Sequence, residues 1–128
     1  MDFSSAFNTI QPHLLIERLL DLDANHTLVL SIKQFLCDRP QRVSLSGIRS
    51  GELIVNTGAP QGCVLSPILF SVYTNEVVST SALLTHVKFA DDMALVARLR
   101  DEDSLVEYFL HLHVLNSWFK ERFLDLNI

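Results

Sequence analysis

The order of elements legible in this chain places it in the α+β class. Two pairs of short β-prone runs, residues 42–46 with 52–56 and residues 83–90 with 93–99, each bracket a turn signal. Apolar residues at helical spacing fill the stretches between and after them, and both ends of the chain look like pieces of strand. Helices grouped on one face of a mainly antiparallel sheet satisfy that order.

Met1-Asp2-Phe3 reads as the end of a strand, because Ser4-Ser5-Ala6-Phe7-Asn8-Thr9 follows and then gives way to a helical pattern. Leu14, Leu15, Leu19 and Leu22 recur at helical intervals, and Pro12 suits the first turn. After the break at Asp23-Ala24-Asn25, a second helix is marked by Leu28, Val29, Ile32, Phe35 and Leu36, and Pro40 closes it. Residues 42–46 and 52–56 form a hairpin joined by residues 47–51. Thr57-Gly58-Ala59-Pro60-Gln61-Gly62 is a loop by its glycines and proline, and it opens a helix over residues 64–80 with Pro67 in the first turn. Residues 83–90 and 93–99 form the second hairpin, with Asp91-Asp92 as its turn. Asp101-Glu102-Asp103-Ser104 sets acids where a helix N-terminus favours them. Leu105, Phe109, Leu112, Trp118, Phe119 and Phe123 follow at helical spacing, with Phe109, Trp118 and Phe119 expected in the core. Leu124-Asp125-Leu126-Asn127-Ile128 alternates like a strand.

At 128 residues this is one domain or part of one, without internal repeat, low-complexity tract or linker. A hydrophobic content of 48% and a mean hydropathy of +0.26 are high for a soluble domain of this size, the profile of an excerpt from the middle of something larger. The longest apolar stretch, residues 64–73, is broken by Ser66-Pro67 and falls far short of the roughly 20 residues that cross a membrane. No basic region followed by an apolar core opens the chain, so the expected location is intracellular, cytoplasmic or nuclear. Cys37 and Cys63 lack the spacing of a zinc site or a disulfide framework and read as free thiols. The five histidines show no ligand spacing: His111 and His113 sit two apart on a helix, and His13, His26 and His86 have no partner in sequence. A net charge of −5 disfavours a self-sufficient nucleic-acid binder. Lys33, Arg39, Arg42 and Arg49 either face a template or solvate a surface.

Asp91-Asp92 is the electrostatic oddity. Two carboxylates about 4 Å apart repel by roughly 1 kcal/mol in water and roughly 4 kcal/mol at an effective dielectric near 20, so a cation there relieves the tip. Taken alone the pair is an ordinary solvated turn. It does not stand alone: Asp2-Phe3-Ser4-Ser5-Ala6-Phe7, Gly58-Ala59-Pro60-Gln61-Gly62-Cys63-Val64-Leu65-Ser66-Pro67 and Phe89-Ala90-Asp91-Asp92 occur in this order. Together they resemble the reverse transcriptase palm, most closely that of non-long-terminal-repeat, LINE-type retrotransposons. Arg39-Pro40-Gln41-Arg42-Val43, between the first two blocks, and the stretch from Trp118 to Asn127 also match that family's habits. The resemblance spans nearly the whole chain.

What the resemblance implies is specific. The fold is a polymerase palm with a ferredoxin-like or RRM-like core, taking in part of the fingers–palm insertion over residues 1–128 and cut short at both ends. The activity is RNA-directed DNA synthesis, a nucleotidyl transfer from dNTP to a primer 3′-hydroxyl on an RNA template. The cofactor is a pair of Mg2+ ions, with Mn2+ as the alternative, about 3.5 to 4 Å apart. Hard oxygen donors suit them. Asp2 and Asp91 are the expected bridging ligands, Asp92 a further contributor, and the Phe3 carbonyl a ligand beside the triphosphate. Ser5 and Ala6 lie near the phosphates. Phe7 matches the bulky ring that excludes a ribose 2′-hydroxyl. Gln61 and Gly62 match the loop that meets the incoming nucleotide and the template, where glycine permits close backbone approach. Phe89 stands where many members carry tyrosine.

Relative to the family pattern, the upstream fingers, the downstream lysine motif, the primer grip and thumb, and an endonuclease domain are all missing. The expectation is therefore a palm fragment inactive by itself, prone to self-association through exposed edges and apolar patches. The alternative is a non-catalytic retrotransposon remnant that serves as a binding module or has no function.

Overall fold

The computed structural model describes residues 2–3, 5–77 and 81–127, with Asp2, Leu126 and Asn127 described in their backbone alone. The chain runs β1 (Asp2–Phe3), α1 (Ala6–Thr9), α2 (Pro12–Asp21), α3 (His26–Leu36), β2 (Arg39–Gln41), β3 (Ser44–Leu45), β4 (Ile48–Arg49), β5 (Leu53–Val55), α4 (Leu65–Tyr73), β6 (Leu84–Phe89), β7 (Asp92–Ala97), α5 (Glu102–Glu121) and β8 (Leu126–Asn127). This is the expected mixture of helices and antiparallel strands. The strands do not merge into one ladder: the described residues form four two-stranded antiparallel pairs, β1–β8, β2–β5, β3–β4 and β6–β7. Met1 and Ile128, assigned to strands from the sequence, lie outside the described residues.

The helices start where local chemistry says they should. Pro12 occupies the first turn of α2, where a missing N–H costs nothing. The Asn25 side chain accepts the Thr27 N–H at 2.8 Å and caps α3. At α5 the Asp101 carboxylate accepts the Ser104 N–H at 2.9 Å, and the Ser104 hydroxyl accepts the Asp101 N–H at 3.1 Å, which closes a capping box. Pro67 falls on the third residue of α4, still among the amides that have no helical partner.

Three expectations need correction. The helix expected over 64–80 ends at Tyr73, where the Thr74 hydroxyl turns back to the Phe70 carbonyl and residues 74–76 form a turn; residues 78–80 lie outside the described residues. The first hairpin turns at Ser46-Gly47, not across residues 47–51. Both residues there have positive φ, 50° and 85°, the signature of a two-residue turn whose twist matches the strands. That register starts the outer pairing earlier, with Arg39 opposite Val55 and Gln41 opposite Leu53. In α5 the buried positions are Ser104, His111, Leu115 and Phe119. Phe109, expected in the core, is 59% exposed because it lies on the opposite side of the helix.

One core joins the elements. Ile10, Leu15, Leu36, Phe70, Phe119 and Leu124 are almost wholly buried within it. Phe3 sits at its centre, edge-on to Phe119 at 4.9 Å and to Phe70 at 5.7 Å between ring centroids. These contacts anchor β1, and with it the backbone of Asp2, against α4 and α5.

Candidate active site

The first block is built around that anchor. Phe3 spends its side chain on the core and sits opposite Leu126 in the β1–β8 pair. Ser5 is exposed and holds a left-handed conformation, φ 53° and ψ 40°, at the start of α1. Ala6 is buried as a whole residue, so it shapes the start of α1 from beneath. The Phe7 ring is half-buried, edge-on to Phe70 at 5.7 Å.

The loop of the second block docks on α1. The Gly58 N–H donates to the Ile10 carbonyl at 2.7 Å, and the Ala59 N–H to the Phe7 carbonyl at 2.7 Å. Gly58 approaches so closely that a Cβ would meet the Asn8 Cα at 2.7 Å, and its φ is +69°. Gln61 is exposed and donates through Nε2 to the Asn8 side-chain carbonyl at 3.1 Å. Gly62 has φ +77° with open space around it, so conformation rather than room demands glycine there. An open cleft of about 760 Å3 lies here, lined by Asn8, Arg39, Gln41, Thr57, Pro60 and Gln61 among others.

The third block differs from expectation by one residue. The turn is Ala90-Asp91, and Asp92 opens β7 directly opposite Phe89. Ala90 takes φ 53°, an uncommon conformation for alanine that places strain of order 1 kcal/mol at the tip. Asp91 is half-buried, while Asp92 and Phe89 are exposed. β1 lies against β7, so the strand carrying Asp2 and the hairpin carrying Asp91 and Asp92 are neighbours. Among the described residues no three histidine, cysteine, aspartate or glutamate side chains gather into a metal cluster, and the side chain of Asp2 is outside that description.

Two basic residues brace the site: Arg39, which the sequence leaves between facing a template and solvating a surface, and Lys88, which it does not single out. Arg39 neither faces solvent freely nor awaits a template: its Nε donates to the Leu36 carbonyl at 3.0 Å, and its Nη2 to the carbonyls of Gly58, at 2.9 Å, and Thr57. An arginine just past the end of α3, at the first residue of β2, is the available signal. Lys88 donates from Nζ to the Thr74 carbonyl at 2.7 Å, which ties the hairpin to the C-terminus of α4. Burial pushes its pKa below the usual lysine value. Of the other basic residues, Arg42 pairs with Glu52, while Lys33 and Arg49 are exposed.

Comparison with known proteins identifies a family. Residues 1–128 match the family model described as reverse transcriptase (RNA-dependent DNA polymerase). The RNA-directed DNA polymerase from mobile element jockey of Drosophila funebris is 31% identical over 88 residues, 60% of this chain and 10% of its own length. Its counterpart in Drosophila melanogaster is 34% identical over 79 residues, 62% of this chain and 8% of its own length. The chain thus spans a tenth or less of the curated relatives it matches. No solved structure matches it. With its three ordered blocks, a match over its full length and relatives from a mobile element, the chain belongs to the reverse transcriptase family, as a fragment of the LINE type.

Proposed function

We propose that the chain is the palm of an RNA-templated DNA polymerase, in which Asp2, Asp91 and Asp92 hold two Mg2+ ions and add dNTP to a primer 3′-hydroxyl. The observation that carries this reading is the adjacency of β1 and β7, which brings the first and third blocks together across nearly ninety residues of chain. The donor set fits the metal: carboxylates from Asp2 and Asp91 and the carbonyl of Phe3, whose side chain is already committed to the core, are the hard oxygens Mg2+ prefers. When bound, the ions activate the 3′-hydroxyl and neutralise charge on the triphosphate. The residues of the chain position the substrates. Asp91, half-buried at the tip, would be the principal ligand, and exposed Asp92 a secondary contributor. Gln61, braced by Asn8, meets the nucleotide and template, and Phe7, braced by Phe70, excludes the 2′-hydroxyl.

The test is Mn2+ binding by the chain, followed through water-proton relaxation. Asp91→Asn should abolish binding, Asp92→Asn weaken it less, and Asp125→Asn leave it unchanged. Binding that survives Asp91→Asn would sink the proposal and favour a non-catalytic remnant. Primer extension on an RNA template should yield little or no product from these 128 residues alone.

Self-association belongs to the same reading. Leu45 and Ile48 face each other across β3 and β4, at 74% and 77% exposed. Such a patch is covered in a finished interface. Ile48→Lys should lower the apparent mass in light scattering, and a monodisperse parent chain would contradict the expectation. No helix among the described residues is long and apolar enough to cross a membrane.

A further inference from the structure

The sequence gives His86 and His111 no partner at ligand spacing, yet the fold brings them together across 25 residues. His86 follows Leu84 on the inner face of β6, and His111 lies on the buried face of α5. Their rings stack with centroids 5.0 Å apart and planes 25° apart, and their Nε2 atoms are 3.0 Å from each other. One Nε2 must therefore donate and the other accept, so the acceptor ring is neutral.

The other nitrogen of His86 decides which. Its Nδ1 is buried without a hydrogen-bond partner. A buried N–H without an acceptor is costly, whereas a buried lone pair is cheaper to leave empty. The proton of His86 thus sits on Nε2, and His111 accepts it. The charged groups around the pair are Lys88, two residues along β6, and Glu107 and Glu76, which line the same 320 Å3 cleft as His111. Burial first, and then His111 and Lys88, hold the His86 pKa below the ordinary histidine value.

We infer that the His86–His111 contact is a proton-released clamp that, while neutral, fastens the β6–β7 hairpin to α5. A proton added to His86 creates a buried, unpaired Nδ1–H and a cation beside Lys88. A proton added to His111 removes the acceptor, so His86 must move its own proton to the unpaired Nδ1 or give up the contact. Either route weakens the clamp, through a buried unpaired Nδ1–H on His86 or through loss of the contact. The hairpin it holds carries Asp91 and Asp92, but the inference concerns its attachment and needs no metal there. The sign follows from the depressed value: the stabilisation is present above the unfolded pKa of about 6.5 and is lost as pH falls below it.

The test is an imidazole nitrogen and proton NMR titration of the 128-residue chain, with backbone amide exchange measured in parallel. His86 should carry its proton on Nε2 at neutral pH and titrate below a model histidine. Between about pH 7.5 and about pH 5.5, protection factors in β6 and β7 should fall roughly fivefold relative to those in α2, the loss of about one net hydrogen bond. His111→Leu should remove that pH dependence; if the variant does not fold, the tautomer and titration of the parent chain decide alone. A proton on Nδ1 of His86, or hairpin protection that tracks α2 across the same range, would overturn the inference.

Discussion

Gly58 rests directly on the backbone of Asn8, with room for a hydrogen and nothing larger: a Cβ would lie 2.7 Å from the Asn8 Cα and 2.8 Å from the carbonyl oxygens of Asn8 and Phe7. The atoms in the way are all backbone, so no side chain can turn aside. The contact is what lets Ala59 reach the Phe7 carbonyl and brings Gln61 beside Asn8. Gly58→Ala combines this clash with a left-handed φ of +69°. The cost should be about 2–4 kcal/mol, read as a lower urea midpoint with unchanged slope. Gly62→Ala meets no neighbour and should cost only the conformational share, about 1–2 kcal/mol.

How much of this was legible beforehand depends on whether the signal is local. Pro12, Asn25 and Asp101 announce helix starts through chemistry confined to one turn, and each helix begins there. Strand registers are not local. The shift from Asp91-Asp92 to Ala90-Asp91 as the turn follows from alanine accepting a positive φ, which propensity argues against. Phe109 and Phe119 are the same residue type on one helix, and only the packing of Phe3 and Trp118 selects the second for the core. The contacts of Arg39 and of the His86–His111 pair are not legible because the partners are backbone carbonyls and an element far along the chain. The three motif blocks were readable as a set, since their order along the chain carries what no block carries alone.

Arg39 joins the end of α3 to the loop that presents Gln61. One guanidinium serves the carbonyls of Leu36, Thr57 and Gly58, a fork that a lysine ammonium cannot reproduce. Arg39→Ala should cost about 1.5–3 kcal/mol, the range for hydrogen bonds to a charged group. Arg39→Lys should recover less than half of the loss in denaturant midpoint. Amide exchange at Gly58 and Ala59 should accelerate more than exchange in α5, and uniform acceleration would show that the arginine has no special hold on the loop.

Acid should weaken α5 from its N-terminus. The Ser104 N–H first, and the Ser104 hydroxyl second, hold the Asp101 carboxyl below the usual carboxylate range. A depressed folded value means that the contribution is present above the unfolded pKa of about 3.9 and is lost as pH falls through the folded value. Asp101→Ala should therefore melt below the parent chain at neutral pH, and the gap should close in strong acid. A gap that persists unchanged to the lowest accessible pH would assign the effect to something other than the cap.

Phe119 and Phe109 offer a controlled comparison on one helix. Phe119 is fully buried, 4.9 Å from Phe3 and 5.3 Å from Trp118 between centroids, while Phe109 is 59% exposed. Phe119→Ala should cost about 3–5 kcal/mol, enough to threaten folding in a domain of ordinary stability. Phe119→Leu keeps most of the volume and should leave a folded chain, while Phe109→Leu should fall within about 0.5 kcal/mol of the parent. Because Phe3 follows Asp2 in β1 and leans on Phe119, the leucine at 119 should also weaken Mn2+ binding more than the leucine at 109. Equal metal affinity in two folded variants would mean that the aromatic contact holds the core without setting the strand that carries Asp2.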